Sequence, residues 1–237
     1  AIADYYFYNG KYGEAITEYD KVRTAALDGD ASEDVYYRRA YSLLRLGEYE
    51  QALVNINALR GSRRYAAANT FYQAYVDYAN KRYGEALTKF QRVKGNGELA
   101  YNAQYYVAQI YFTQQQYDKA ETLAKSLLSD GNNPAFNAEL CRIIGESEYQ
   151  NGNDDEAEKY LKRYIDTTAG EPLRSAAYAY GVIRYRADAF DEAVNSLATM
   201  TTDSDALSQS AYLYIGQSYL KLHELNKASI AFEKAIQ

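Results

Sequence analysis

A regular spacing of small residues is the feature of this 237-residue chain that most restricts its fold. An Ala recurs seven times at intervals of 34 to 37 residues, and a second small residue, Ala or Gly, stands twelve positions before each of them. A large apolar residue follows four positions after the Ala in every copy but one. The hexamers KYGEAI at 11–16 and RYGEAL at 82–87 are two copies of this unit. Such a period predicts an array of stacked units.

The spacing favours a pair of antiparallel helices in each unit. The recurring residue, called here the anchor Ala, is Ala15, Ala52, Ala86, Ala120, Ala157, Ala193 and Ala228. The earlier one, called the first small residue, is Ala3, Ala40, Ala74, Ala108, Gly145, Gly181 and Gly216. Two small residues allow the helices to approach closely, and the large residue after the anchor is predicted to fill the space between units. Gly10, Gly47 and Gly152 fall in the turn between the helices, where they can adopt a positive φ.

Composition excludes several functions. The net charge of −6 argues against nucleic-acid binding, which relies on Lys and Arg to neutralise phosphates. No run of 18 apolar residues occurs in the sequence, so no membrane span is predicted. The presence of only two Pro suits a chain that is nearly all helix. Because the sequence begins without a signal peptide or an initiator Met, we expect it to be a fragment of a longer protein.

Side chains that could carry chemistry are few. One His and one Cys are too few for a Cys/His metal site, and they exclude an internal disulfide. His223 is predicted to lie in an exposed turn, and Cys141 to be buried in a helix without a His to activate it. Neither of the common glycine-rich phosphate motifs is present. The sequence therefore predicts a chain with no catalytic residue, no metal and no cofactor.

The spacing and the residues that carry it resemble the tetratricopeptide repeat (TPR), a unit of 34 residues. The closest copy is the last, which supplies Tyr212, Ile215, Gly216, Tyr219, Ala228 and Phe232. The resemblance implies an all-α, right-handed superhelical solenoid of antiparallel helix pairs. It covers the chain as a single array of seven units, at 1–30, 33–65, 67–99, 101–135, 138–172, 174–207 and 209–237.

One unit departs from the family pattern. In the first helix of the third unit, apolar positions hold Thr70, Gln73 and Asp77. We expect that helix to be rotated or to depend on Tyr72 and Val76 for its packing.

The resemblance also implies that the first helices line a concave ligand-binding face. The positions that line it stand three before, one after and four after the first small residue, which places them on one helix face. Eleven of these 20 positions are aromatic, and Tyr is enriched in binding surfaces. The predicted partner-binding residues, called here the stripe, are Tyr37, Tyr41, Phe71, Tyr75, Tyr78, Tyr105, Gln109, Phe112, Arg142, Tyr149, Tyr178 and Tyr185.

An alternative role for the stripe is lateral packing against the neighbouring unit. Aromatic residues at the outer two positions commonly pack sideways in such arrays. Tyr41 and Tyr75, at the middle positions, separate the two interpretations best.

The predicted function is a non-catalytic scaffold that binds a protein or peptide along the stripe. Two alternatives remain open: a structural spacer or self-associating array, and the regulatory arm of a longer enzyme. The Tyr-rich helices are similar to those of bacterial envelope-associated TPR proteins, of the outer-membrane assembly and Tol–Pal coordinator types. That likeness favours the periplasm or cell envelope over the cytoplasm.

Overall fold

The structure is a computed structural model that describes residues 1–95 and 97–236. Within these residues the fold is all-α, as predicted, with fourteen α-helices, two short 3₁₀ helices and no strand. The α-helices are α1 Ile2–Tyr8, α2 Tyr12–Tyr19, α3 Gly29–Arg45, α4 Tyr49–Ala58, α5 Ala66–Ala79, α6 Tyr83–Phe90, α7 Glu98–Thr113, α8 Tyr117–Asp130, α9 Asn137–Gln150, α10 Asp154–Thr167, α11 Arg174–Arg186, α12 Phe190–Ala198, α13 Ala206–Lys221 and α14 Leu225–Ala235. None of the described helices is both long and apolar enough to cross a bilayer.

A turn of three residues follows each odd-numbered helix and leads into the next helix. A link this short makes the two helices antiparallel. The middle residue of the turn has a positive φ of 57° to 81° in all seven cases, although only three of the seven are Gly. They are Gly10, Gly47, Lys81, Gln115, Gly152, Asp188 and His223.

The same two backbone hydrogen bonds close each turn. In the second turn, Gly47 N donates to Leu44 O at 3.1 Å and Glu48 N donates to Leu43 O at 2.9 Å. This pattern is the Schellman motif, which satisfies carbonyl groups left over at the end of a helix. The first helix therefore ends at the same position of every repeat.

The small residues lie where the two helices of a pair meet. Every anchor Ala is at most 1% exposed, and the first small residues are buried. A Cβ added to Gly181 would lie 2.6 Å from Leu197 Cγ, and one added to Gly145 would lie 2.7 Å from Leu161 Cγ. The large residue after the anchor thus packs on the first small residue of its own pair, where the sequence had predicted contact between units.

The chain divides into two compact units, each of several repeats, and the division falls inside α7. Ala1–Val107 is called below the first unit and Ala108–Gln237 the second unit. In the first unit, Ala3, Ala15, Tyr19 and Val35 form a buried cluster that joins α1, α2 and α3. The seven repeat boundaries remain a prediction, and position 237, the expected end of the seventh repeat, lies outside the described residues.

Buried clusters also join neighbouring helices in the second unit. Cys141, Leu161 and Tyr180 belong to the one that joins α9, α10 and α11. Leu197 and Ile215 belong to the one that joins α12 and α13.

The unusual polar residue of the third repeat is buried and paired. Asp77 is 6% exposed and accepts hydrogen bonds from Arg82 and Lys89, with the Arg82 Nη2–Asp77 Oδ1 distance at 2.7 Å. Tyr72 and Val76 of the same helix are buried at 6% and 0% exposure. A buried carboxylate is tolerated here because two cations neutralise it.

Candidate partner-binding surface

The stripe residues of the first unit lie on the first helices of their pairs and differ in exposure. Phe71 and Tyr105 are buried, at 7% and 9% exposure. The half-buried ones are Tyr37, Tyr41, Tyr75 and Tyr78. Only this second set can contact another molecule without a rearrangement of the helices.

Tyr106, a residue outside the predicted stripe, organises the aromatic side chains of α5. Its ring centroid lies 5.0 Å from that of Tyr78, 5.5 Å from Tyr75 and 6.1 Å from Phe71. It also stacks on Phe90 at 5.2 Å with an interplanar angle of 9°. One ring of α7 therefore fills the gap between three stripe residues of the preceding repeat.

Tyr72 has the same relation to α3. Its hydroxyl lies 3.2 Å from the hydroxyl of Tyr37, and its ring centroid lies 6.3 Å from that of Tyr41. Tyr41 in turn meets Phe7 at 5.5 Å and Tyr12 at 5.8 Å in edge-to-face geometry. Tyr41 thus contacts aromatic rings from both neighbouring repeats.

These contacts follow a register that lies outside the predicted stripe. Tyr72 and Tyr106 stand two positions before the first small residue, as does Tyr214 in the second unit. Tyr214 lies 5.3 Å from Tyr185 and 6.2 Å from Tyr178. The recurrence of Tyr at this position was the available signal. Lateral packing against neighbouring repeats is therefore one role of the stripe. It extends to the middle positions, where Tyr41 and Tyr75 also keep part of their surface exposed.

In the second unit, Arg142 of α9 is buried in a polar cluster. Its guanidinium donates to Glu139 Oε1 from Nε at 2.8 Å and to Glu146 Oε2 from Nη1 at 2.9 Å. It also lies 5.0 Å from the centroid of the Phe112 ring. Since Arg142 is only 6% exposed and holds two carboxylates, its charge is neutralised within the protein.

Other polar side chains complete this cluster. Gln109 Nε2 donates to Glu139 Oε1 at 3.0 Å, and Ser175 Oγ donates to Glu146 Oε1 at 2.8 Å. Burial raises the pKa of Glu146, and the Arg142 charge and the Ser175 hydrogen bond oppose that rise. Gln109 and Arg142 therefore position α7, α9 and α11 relative to each other.

The remaining predicted residues, Tyr149, Tyr178 and Tyr185, are half-buried. The Arg186 guanidinium lies 5.5 Å from the Tyr149 ring centroid. Tyr185 meets Phe190 at 5.7 Å, edge to face. Each keeps an exposed edge, and burial raises the pKa of Tyr149 and of Tyr178, so both hydroxyls are protonated and can donate at neutral pH.

The residues considered for chemistry lie in structural positions. Cys141 is fully buried in α9, and burial raises the pKa of its thiol, which disfavours the reactive thiolate. His223 is the exposed middle residue of the last turn. Among the described residues, no group of three or more His, Cys, Asp or Glu side chains is arranged to hold a metal ion.

Solved structures with the same fold include TPR proteins. The C-terminal part of a TPR protein from Cytophaga hutchinsonii superposes with a TM-score of 0.69 at 14% identity, over 99% of this chain and 93% of its own. YrrB, described as a TPR protein with an unusual peptide-binding site, gives 0.60 at 21% identity, over 76% of this chain and 90% of its own. MamA of MSR-1 gives 0.56 at 17% identity, over 72% and 95%.

Sequence comparison places the chain in a family. Curated proteins gave no significant match. A family model, described as tetratricopeptide repeat, matches residues 1–56 and 108–172, just over half of the chain. The likeness to envelope-associated members stays a prediction. The chain belongs to the tetratricopeptide repeat family.

Proposed function

We propose that this chain is a non-catalytic scaffold that binds a protein or peptide through the half-buried tyrosines of its first unit. The surface concerned consists of Tyr37, Tyr41, Tyr75 and Tyr78 and is called here the tyrosine surface. The observation that carries the proposal is that these four rings combine an exposed edge with fixed aromatic neighbours.

Fixed rings make a good binding surface for an energetic reason. A side chain that is ordered only on binding loses conformational entropy, roughly 0.5–1.5 kcal/mol for a flexible one. Tyr41 and Tyr75 are already held by Tyr72, Tyr49 and Tyr106. A partner would therefore meet apolar rings and hydroxyl groups without ordering them first.

The hydroxyl groups of Tyr41 and Tyr75 are neutral. Burial raises the pKa of both groups above the ordinary value for tyrosine, and hydrogen bonds to Tyr12 and Tyr49 add to the rise. Both groups thus stay protonated at neutral pH, and their oxygens can accept a hydrogen bond from an N–H group of the partner. An extended peptide presents such donors alongside apolar side chains.

In the second unit, Tyr149, Tyr178 and Tyr185 form a comparable set. Arg142 and Gln109 belong to the supporting polar cluster, so we assign them a positioning role and not direct contact. The peptide-binding site reported for YrrB supports peptide binding as a use of this fold, and that support is one of analogy.

The proposal is tested by affinity capture with matched variants. The chain is immobilised, exposed to a lysate of the cells that make it, and the retained proteins are quantified by mass spectrometry. We expect Tyr41→Ser and Tyr75→Ser to reduce retention of the same partner at least tenfold, because each removes a ring from the surface. Tyr5→Ser is the control, since Tyr5 is 62% exposed and lies on α1, outside the stripe. Circular dichroism verifies that the variants remain helical.

A second pair of variants separates binding from packing. Tyr41→Phe and Tyr75→Phe keep the ring contacts and remove only the hydroxyl, and we expect them to weaken retention by a smaller factor, corresponding to about 1 kcal/mol per hydrogen bond. If the folded Phe and Ser variants retain the partner as well as the parent chain, the tyrosine surface is a packing layer and the proposal is wrong.

A further inference from the structure

An apolar cleft lies in the second unit and shares no residue with the tyrosine surface. It is bounded by α12 and α14, with α13 as its floor, and has a volume of about 280 Å³. Val194, Ala198, Ile215, Tyr219, Ile230 and Ala231 provide its apolar lining. Lys227 and Lys234 of α14 also border it. Ile230 is 56% exposed, so part of this apolar surface faces solvent.

The corresponding position one repeat earlier carries ion pairs between charged side chains. Between α10 and α12, Arg184 of α11 pairs with Glu158 of α10 at 2.7 Å and with Glu192 of α12 at 3.1 Å. One repeat earlier again, Lys125 of α8 pairs with Glu148 of α9 at 2.7 Å. Ion pairs thus bridge the neighbouring helices at both of these positions.

The last repeat replaces those charged residues. By the repeat spacing, Glu158, Arg184 and Glu192 correspond to Val194, Tyr219 and Lys227. No carboxylate remains among the three, so the bridging pair cannot form. The apolar character of this lining therefore comes from specific substitutions within the repeat.

Two lysines give the edge of the cleft a positive charge. Lys227 and Lys234 are seven positions apart on α14 and so share one face, about 10 Å apart along the axis. Each ammonium lies 5.3 Å from a tyrosine ring of α13, Lys227 over Tyr219 and Lys234 over Tyr212.

Nearby carboxylates neutralise these lysines only in part. Lys227 has an exposed pair with Glu224 at 2.8 Å, which is weak and exchangeable. Asp191 of α12 also acts on Lys227, whereas Asp205, beside Lys234, is held by Arg174 at 2.8 Å. Among the described residues Lys234 has no carboxylate partner.

We infer that this cleft binds an acidic amphipathic helix of a partner protein. Apolar side chains of the helix fill the cleft and are thereby removed from water, and two carboxylates of the helix pair with Lys227 and Lys234. A helix fits better than an extended strand because carboxylates seven positions apart on a helix have the same spacing as the two lysines. The side chains of α12 and α14 provide the grooves against which a third helix packs.

Two designed peptides serve as probes. Both are fluorescein-labelled helices of about five turns with leucine on one face, and the positions that flank this face carry glutamate in one and lysine in the other. Fluorescence anisotropy with the whole chain measures their affinities. We expect the leucine–glutamate peptide to bind at least tenfold more tightly than the leucine–lysine peptide.

Substitutions at the cleft and at a control position test where the peptide binds. Ile230→Glu should weaken the leucine–glutamate peptide at least tenfold, because it places a carboxylate at the apolar edge of the cleft. Val54→Glu is the matched control: Val54 stands two positions after its anchor Ala, as Ile230 does, and is 72% exposed on α4.

A Lys227→Glu, Lys234→Glu double variant should prefer the lysine peptide. Tyr41→Ser should leave binding unchanged, which separates this cleft from the tyrosine surface.

Several results would overturn the inference. Equal binding of the two peptides, or equal effects of Ile230→Glu and Val54→Glu, would mean that the cleft is not the site. Competition by laurate stronger than by unlabelled peptide would indicate a lipid ligand. A concentration-dependent mass of the chain alone, abolished by Ile230→Glu, would identify a second copy as the occupant.

Discussion

At the scale of single residues, the turn between paired helices shows how tertiary context overrides a local preference. The left-handed conformation costs a non-glycine residue roughly 1–2 kcal/mol, yet Lys81, Gln115, Asp188 and His223 adopt it. Two hydrogen bonds close each of these turns, and the packing of both helices depends on it. The repeat imposes the conformation whether or not the residue favours it.

Reciprocal substitutions at this position should have opposite effects. Gly47→Ala should lower the free energy of unfolding by about 1 kcal/mol, since φ is +79° and no atom lies within 4 Å of the added Cβ. Gln115→Gly should raise it by a similar or smaller amount, because it relieves strain at φ 58°. Urea denaturation measures both. A loss of stability with Gln115→Gly would show that the left-handed turn is not strained.

At the scale of helices, the contact between the two members of a pair depends on small residues. In α11 and α12, the glycine at position 181 lies directly against Leu197. The same arrangement recurs at Gly216, where an added Cβ would lie 2.6 Å from a ring carbon of Phe232. Glycine is unfavourable in a helix interior, so its presence there indicates that close approach of the helices outweighs helix propensity.

A methyl group added at that contact should destabilise the pair. Gly181→Ala gains about 0.5–1 kcal/mol in helix propensity, but forcing a Cβ against Leu197 costs about 1–3 kcal/mol. We expect a net loss of about 1 kcal/mol in the free energy of unfolding. Gly84→Ala, at an open position in α6, is the control and should be neutral or stabilising. If both substitutions stabilise the chain equally, close approach is not what selects glycine at position 181.

At the scale of the whole molecule, buried tyrosine links stability to alkaline pH. The chain has 28 Tyr, and burial raises the pKa of several of them, including Tyr72 and Tyr106. Burial and a hydrogen bond to Asp34 raise the pKa of Tyr65 to about 12. These groups hold their protons more tightly in the folded state than in the unfolded state, so folding is favoured while they are neutral.

The expected result is unfolding between about pH 10 and pH 12. Below about pH 10, the ordinary tyrosine pKa, the contribution of these groups is complete, and it is lost as the pH rises through their folded-state pKa values. A part of the tyrosinate absorbance should therefore appear only together with the loss of the helical circular dichroism. The chain unfolded in guanidinium provides the reference titration. Complete ionisation of the tyrosines with the helical signal intact would contradict this account.

Most of the fold could be predicted from the sequence because its signals are local and repeated. The anchor Ala, the first small residue and the turn position recur in seven copies, so each copy supports the others. The candidate surface was harder to predict. The positions of Tyr41 and Tyr75 followed from the repeat, but their degree of exposure depends on Tyr72 and Tyr106, which come from the next repeat.

The sequence alone determined the period, the helix pairs and the family, since these depend on residue size and on hydrogen bonds between near neighbours. Only the tertiary structure decided how the side chains of different repeats pack against one another. Tyr37 meets Tyr72 from 35 positions away, and the polar cluster around Arg142 is completed by Gln109 and Ser175, which come from other helices. The apolar cleft beside Ile230 likewise differs from its counterpart one repeat earlier, where Arg184 pairs with carboxylates of two other helices. Such outcomes depend on contacts between helices that no single stretch of sequence contains.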